Sequence, residues 1–221
     1  KSAPQSNNQI GREVLHKMAI DHHIRGDLLD AEKAYRDMIK TGYIHPGIFS
    51  NLGIICKNSG RPEEAIILYK KAIELSPNDP DTYTNLGNIF KDIGQLDQAL
   101  VSTLKSLELK PDNPAAHMNL GLIYKELSKL DQALVSTLKS LELKPDNPAA
   151  HMNLGGIYKD LGQLDQALAS TLKSLELKPD NPAAHRNVGL IYKELGQLDH
   201  ALDSTLKSLE LKPDNPDAHI N

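Results

Sequence analysis

Five asparagines, Asn51, Asn85, Asn119, Asn153 and Asn187, recur at one fixed interval, and Asn221 continues the series. A side-chain amide carries both donors and an acceptor. A row of them suits a polypeptide main chain, whatever that polypeptide's sequence. A second row, Lys57, Lys91, Lys125, Lys159 and Lys193, keeps the same interval, and an acidic residue follows four of its members as Asp92, Glu126, Asp160 and Glu194. Two readings of this row stand side by side: a grip on acidic side chains of a ligand, or a solvated helix face with cations near a helix C-terminus.

Other chemistry is absent or weakly signalled. Ser102–Lys105, Ser136–Lys139, Ser170–Lys173 and Ser204–Lys207 each spell Ser-x-x-Lys. The Ser-Asp-Asn and Lys-Thr-Gly elements that accompany that motif in penicillin-recognising enzymes are missing, so repetition is the better explanation. His117, His151, His185 and His219 fall one per interval, too far apart for the ~2 Å ligand distances of zinc. They are expected to pack between helices or face solvent. His16 and His23 lie two helical turns apart, beyond direct chelation of one ion, and the single cysteine, Cys56, reads as a small buried hydrophobe. No acid–base pair and no phosphate loop appears. The sequence predicts no catalytic residue, no metal and no cofactor.

Composition narrows the partners. Net charge is −4, which argues against nucleic acid. No apolar run approaches the ~20 residues of a membrane span, and no signal peptide is visible. One cysteine excludes an internal disulfide and fits a cytoplasmic, reducing setting. The chain starts at Lys1 and stops six residues into a predicted helix, as an excised fragment would.

The elements that must position these rows follow from the interval itself, 34 residues. Asp97–Gly121 recurs letter for letter at Asp131–Gly155, and Pro46, Pro80, Pro114, Pro148, Pro182 and Pro216 keep the same spacing. A period in the 20–50 range marks stacked units that cannot bury their apolar faces singly. In the unit 114–147, Asn113 is placed to cap a first helix and Pro114 to open it. Leu120, Ile123, Tyr124 and Leu127 make one apolar stripe. Asp131 is placed to cap a second helix, with Ala133, Leu134, Leu138, Leu141 and Leu143 on its apolar face, and Pro145 stops it. Gly94, Gly162 and Gly196 end the first helices of other units, and Ser128 stands at that position here. Mid-helix glycines (Gly53, Gly87, Gly121, Gly155, Gly189) and alanines early in the second helix (Ala65, Ala99, Ala133, Ala167, Ala201) are expected to face each other across a close helix contact.

These residues resemble the tetratricopeptide repeat family. The family positions read Phe49, Leu52, Gly53, Cys56, Gly60, Ala65, Tyr69, Ala72 and Pro77 in one unit, and Tyr83, Leu86, Gly87, Phe90, Gly94, Ala99, Thr103, Ser106 and Pro111 in the next. Later units place Thr and Ser where an aromatic and an alanine are usual. The resemblance implies an all-α, right-handed superhelical solenoid of antiparallel helix pairs, the first helices lining its concave wall. The expected units are a degenerate 12–45, then 46–79, 80–113, 114–147, 148–181 and 182–215. A flexible lead-in, 1–11, precedes them and a truncated seventh unit, 216–221, follows. The lysines that clamp chaperone tails in some relatives are absent: the matching positions hold Glu13, Gly47, Asp81, Ala115, Ala149 and Ala183.

The asparagine row is similar to the ladder in the repeats of O-linked N-acetylglucosamine transferase, which hold substrate peptides by their backbone. With helices about 10 Å apart and an extended peptide rising about 3.3 Å per residue, one rung would serve every third residue. The bland alternative is that asparagine stabilises neighbouring turns. The leading expectation is a non-catalytic scaffold binding an extended peptide or partner helix in the groove, with no nucleic acid or membrane as partner. Alternatives are a substrate-recruiting arm of a larger enzyme such as a glycosyltransferase, or an array that self-associates through uncapped C-terminal helices around Leu202, Leu206 and Leu209.

Overall fold

The computed structural model describes residues 4–212, with side chains from Gly11 onward. Twelve helices occupy them: α1 (Pro4–Arg25), α2 (Leu28–Lys40), α3 (Pro46–Asn58), α4 (Pro62–Leu75), α5 (Pro80–Asp92), α6 (Leu96–Leu109), α7 (Pro114–Glu126), α8 (Leu130–Leu143), α9 (Pro148–Asp160), α10 (Leu164–Leu177), α11 (Pro182–Glu194) and α12 (Leu198–Leu211). No strand occurs among the described residues, and no helix there is long and apolar enough to cross a membrane. Two compact units divide the chain. Residues 1–109 hold α1–α6 and residues 110–221 hold α7–α12.

Within each unit every odd-numbered helix packs against the even-numbered helix that follows it. The even helix then packs on the next odd one: α2 on α3, α4 on α5, α8 on α9 and α10 on α11. Proline opens α3, α5, α7, α9 and α11, where its missing N–H leaves no bond unmade. The residue before it supplies the cap. Asn113 Oδ1 accepts from the amides of Ala115 at 3.1 Å and Ala116 at 3.3 Å, and Asn147 does the same for Ala149 and Ala150. His45 was not anticipated in this role, yet its Nδ1 accepts from Gly47 N at 3.1 Å. Asp131 does not cap α8. That helix starts one residue earlier, at Leu130, with Lys129 in the cap position and no side-chain cap. Asp131 lies in the first turn, where its charge still complements the positive helix end.

Left-handed residues break the chain between paired helices. Gly94, Gly162 and Gly196 have φ near +75°, and Ser128 takes the same position at φ +58°, a conformation that costs a side chain roughly 1–2 kcal/mol.

The buried face of the second helices differs from expectation. Leu138 is exposed, whereas Ala133, Ser136, Thr137 and Ser140 are buried. The cause lies in the glycines opposite. A Cβ at Gly121 would meet Thr137 Oγ1 first and the Ala133 carbonyl oxygen, at 3.2 Å, second. Gly53 likewise faces the ring of Tyr69, at 2.7 Å. The expected glycine–alanine contact is therefore with alanine's backbone, and the side chain that fills the gap sits four residues later. Helices this close leave room for Thr and Ser, whose hydroxyls then need partners. Ser140 Oγ donates to Pro114 O and Ser208 Oγ to Pro182 O, each at 2.8 Å, tying a second helix to the start of its own first helix. Thr171 donates to Ala167 O at 2.8 Å.

The first pair departs from the rest. Of residues 1–11, expected as a flexible lead-in, 4–11 belong to α1. Glu32 of α2 takes a two-pronged contact from Arg61, at 2.7 and 2.8 Å, and Arg36 reaches Glu64 of α4 at 2.7 Å. These four charges lock the second helices of the first two pairs together. The Arg61 hydrogen bonds hold the Glu32 carboxyl down at about 2, against an ordinary 4.5. The 216–221 stretch lies outside the described residues.

Candidate ligand-binding face of the first helices

Neighbouring first helices touch within each unit: α3 with α5, α7 with α9, and α9 with α11. Their asparagines occupy one register, but the structure does not treat them alike. Asn51 donates from Nδ2 to the Tyr35 hydroxyl at 3.1 Å, bridging back to the preceding second helix. Asn119 is buried and engaged within the fold. Asn85, Asn153 and Asn187 are half-buried, and their amides make no hydrogen bond among the described residues. Tyr35 of the preceding second helix reaches Asn51, whereas Tyr69, at the matching position before Asn85, leaves its hydroxyl without a hydrogen-bond partner, and the shorter Thr137 and Thr171 stand there before Asn153 and Asn187.

The lysine row follows neither simple reading. Lys57 Nζ lies 3.1 Å from Asp92 of the next first helix, Lys125 lies 3.2 Å from Asp160, and Lys159 lies 3.5 Å from Glu194. Lys91 also contacts Asp92, at 2.6 Å, which therefore carries two cations and is held below its ordinary carboxylate range by hydrogen bonds from both lysines, against the opposing effect of partial burial. The Lys57, Lys125 and Lys159 contacts are bridges between adjacent repeats, partly exposed and individually worth about 1 kcal/mol or less. Their wider effect is to cancel charge along the face. Lys193, on the last described first helix, is exposed and makes no ion pair among the described residues.

The asparagines also have neighbours that the sequence reading passed over. One residue before each asparagine stand Ser50, Thr84, Met118, Met152 and Arg186, and three residues after it stand Ile54, Asn88, Leu122, Gly156 and Leu190. Met118 and Met152 each accept a contact from the next pair's capping asparagine, Asn147 and Asn181, at 3.8 Å. Gly156 is overlain by the Lys125 ammonium, 3.1 Å from where a Cβ would stand. Their signal in the sequence was variation at a fixed register of an otherwise repeated helix. The face offers uncharged amides beside apolar and thioether side chains, a surface for binding rather than for bond-breaking.

The remaining candidates take structural places. His117, His151 and His185 neither stack in the core nor float free. Each Nε2 lies 2.8–2.9 Å from the carbonyl of the proline that ends the preceding pair, Pro111, Pro145 and Pro179. Each thus carries the proton on Nε2 and clasps the connecting turn. His16 and His23 both pack edge-on against Tyr35. No group of three or more metal-ligating side chains forms among the described residues. The Ser-x-x-Lys serines bond their own helix: Ser102, Ser136 and Ser204 donate to the carbonyls four residues back. Cys56 is buried, and burial pushes its thiol up to about 11.

Comparison with known proteins agrees with this architecture. A family model described as TPR repeat matches residues 53–94, 87–128, 121–162 and 155–196, and one described as tetratricopeptide repeat matches 184–215. No curated protein matches by sequence. Among solved structures, a thermophilic TPR protein of Thermus thermophilus is 26% identical, with a TM-score of 0.71 over 80% of this chain and 96% of that one. A chain of the APC/C hetero-tetramer Cut9–Hcn1 superposes with a TM-score of 0.89 at 18% identity, over 95% of this chain but only 42% of that one. YrrB, described as a TPR protein with an unusual peptide-binding site, is 23% identical with a TM-score of 0.61, covering 86% and 97% of the two chains. With matches running from residue 53 to residue 215, the chain belongs to the tetratricopeptide repeat family, an all-α superhelical repeat.

Proposed function

We propose that this chain is a protein-interaction scaffold that holds an extended peptide by its main chain along the asparagine face of its first helices. The half-buried amides of Asn153 and Asn187, without partners in the fold, carry the reading. They stand on adjacent, touching helices; Lys125 and Lys159 of this face are paired to acids, and Lys193 makes no ion pair among the described residues. A face with free amides and largely cancelled charge selects a backbone over a charged side chain. The peptide-binding site recorded for YrrB, a protein of the same fold, supports the class of ligand.

The test uses a displayed library of random-sequence peptides. Binders selected on the parent are measured by fluorescence anisotropy against Asn153→Ala/Asn187→Ala, leaving the structurally engaged Asn119 in place. At roughly 1 kcal/mol per lost hydrogen bond the double variant binds about tenfold or more weakly, with unchanged helicity and unfolding. Equal affinity would reject the asparagine face as the site.

A further inference from the structure

Helices α7 and α9 carry the same sequence except at two of their thirteen positions, where Leu122 and Glu126 give way to Gly156 and Asp160. Both changes meet at one atom. The Lys125 ammonium lies 3.2 Å from Asp160 and 3.1 Å from where a Cβ on Gly156 would stand. Beyond the local backbone, only Lys125 comes within 4 Å of that point. Packing therefore does not require the glycine, which weakens a helix interior relative to alanine.

The gap has a defined setting. Leucine stands at the same register on the two helices that touch α9, as Leu122 on α7 and Leu190 on α11, and Met152 lies one turn earlier on α9 itself. All three are half-buried. Asn153, whose amide has no partner in the fold, is three positions before Gly156, so the two share a helix face about 5–6 Å apart.

We infer that Gly156 opens a seat for an aromatic side chain of the bound peptide, on the residue whose main chain Asn153 holds. The seat presupposes that main-chain grip and adds a side-chain preference to it. Leu122, Leu190 and Met152 favour an apolar body, and a methionine sulfur makes favourable contact with a ring. A cation is attracted to the face of a ring, so Lys125 keeps Asp160 and still contacts the guest. An aliphatic chain would gain the walls but nothing from the ammonium. A carboxylate would compete with Asp160 for it and lie against three apolar side chains. The bare backbone at Gly156 lets the ring approach the helix closely, which any side chain there would prevent.

Displayed random peptides selected on the parent chain, then measured by fluorescence anisotropy, test the seat. The comparison variant is Gly156→Leu, which restores the residue found at Leu122 and Leu190; circular dichroism and urea unfolding verify that it stays folded. Parent binders are expected to share Phe, Tyr or Trp at one position. Replacing that residue by Ala weakens binding to the parent by roughly tenfold or more, and Gly156→Leu weakens the original peptide to the same extent. The Ala peptide binds parent and Gly156→Leu alike, because seat and guest act only together. At the aromatic position the parent prefers Phe to cyclohexylalanine, and Lys125→Met, which keeps the stem and removes the cation, loses that preference. Binders without a shared aromatic, or an aromatic whose contribution survives Gly156→Leu, overturn the inference. The same peptides on Asn153→Ala/Asn187→Ala decide the main-chain grip separately. Weakened binding there, with an indifferent aromatic position, leaves the grip standing and removes the seat alone. Full binding by that variant removes the grip and the seat's alignment with it, and a parent that selects no peptide overturns both.

Discussion

Gly155 and Gly156 are adjacent in the middle of α9, and the structure gives their alanine substitutions opposite signs. Both positions carry the same intrinsic benefit, since alanine is favoured over glycine in a helix interior by about 1 kcal/mol. At Gly156 the new methyl meets only the end of the Lys125 side chain, 3.1 Å away. That flexible tip can yield by a few tenths of an ångström, and the Asp160 contact it would disturb is a partly exposed one. Gly156→Ala is therefore expected to stabilise by roughly 0.5–1 kcal/mol. At Gly155 the methyl runs into Thr171 Oγ1 and comes within 3.1 Å of the Ala167 carbonyl oxygen. Thr171 is fully buried and the carbonyl is backbone, so relief requires α9 and α10 to part. Overpacking of this kind costs about 1–3 kcal/mol, more than the propensity gain, and Gly155→Ala destabilises by up to about 2 kcal/mol. Adding Thr171→Ala recovers only part of the loss, because the carbonyl contact remains. Urea unfolding followed by circular dichroism, with slopes compared to detect any change in cooperativity, measures all four chains. If the two single variants agreed in sign and fell within about half a kcal/mol of each other, given the propensity term they share, the claim that close helix approach dictates the glycine would be refuted.

Ser128→Gly is expected to raise stability by about 1 kcal/mol or less, because it removes a side chain from a left-handed φ of +58° at the cost of added unfolded-state freedom. Thermal unfolding reads it directly, and no gain would mean that the turn tolerates serine without strain. The Glu32–Arg61 contact sets a pH window. Glu32 has its carboxyl lowered from 4.5 to about 2 in the fold, so its contribution is complete above 4.5 and lost as pH falls toward 2. Arg61→Ala should destabilise at neutral pH and flatten that part of the acid-unfolding profile, whereas an unchanged profile would assign acid sensitivity to other carboxylates.

Much of this molecule was legible in its sequence because the period repeats the same physical solution. Proline after Asn113 specified both the helix start and its cap, and the glycines at φ near +75° marked the ends of the first helices. What could not be read was the direction of side chains on the second helix. Leu138 looks like core from its apolar character alone, yet it is the Thr137 register, opposite the mid-helix glycine, that is buried, by Thr137 here and by Tyr69 against Gly53. The candidate face was half legible. Equal spacing identified the asparagine register, but not which amides the fold engages: Asn51 bonds Tyr35 of the preceding second helix, whereas Tyr69, at the matching position before Asn85, makes no such bond. The lysines posed the same difficulty, since each partner lies thirty-five positions on, as from Lys57 to Asp92, and pairing appears only when two repeats are stacked.

The proline clasp made by His117, His151 and His185 bears on how such a molecule changes over generations. In residues 110–212 each link between repeats, whether histidine to preceding turn, lysine to following acid or helix to following helix, recurs at an identical offset. Excising or duplicating one whole period there leaves no mismatched seam, because the residues brought together are those that already met elsewhere. Near-identical coding segments invite just such in-phase exchange. Length is then the trait this architecture alters most readily, and a stretch of a few residues, out of phase with the period, is the lesion it tolerates least.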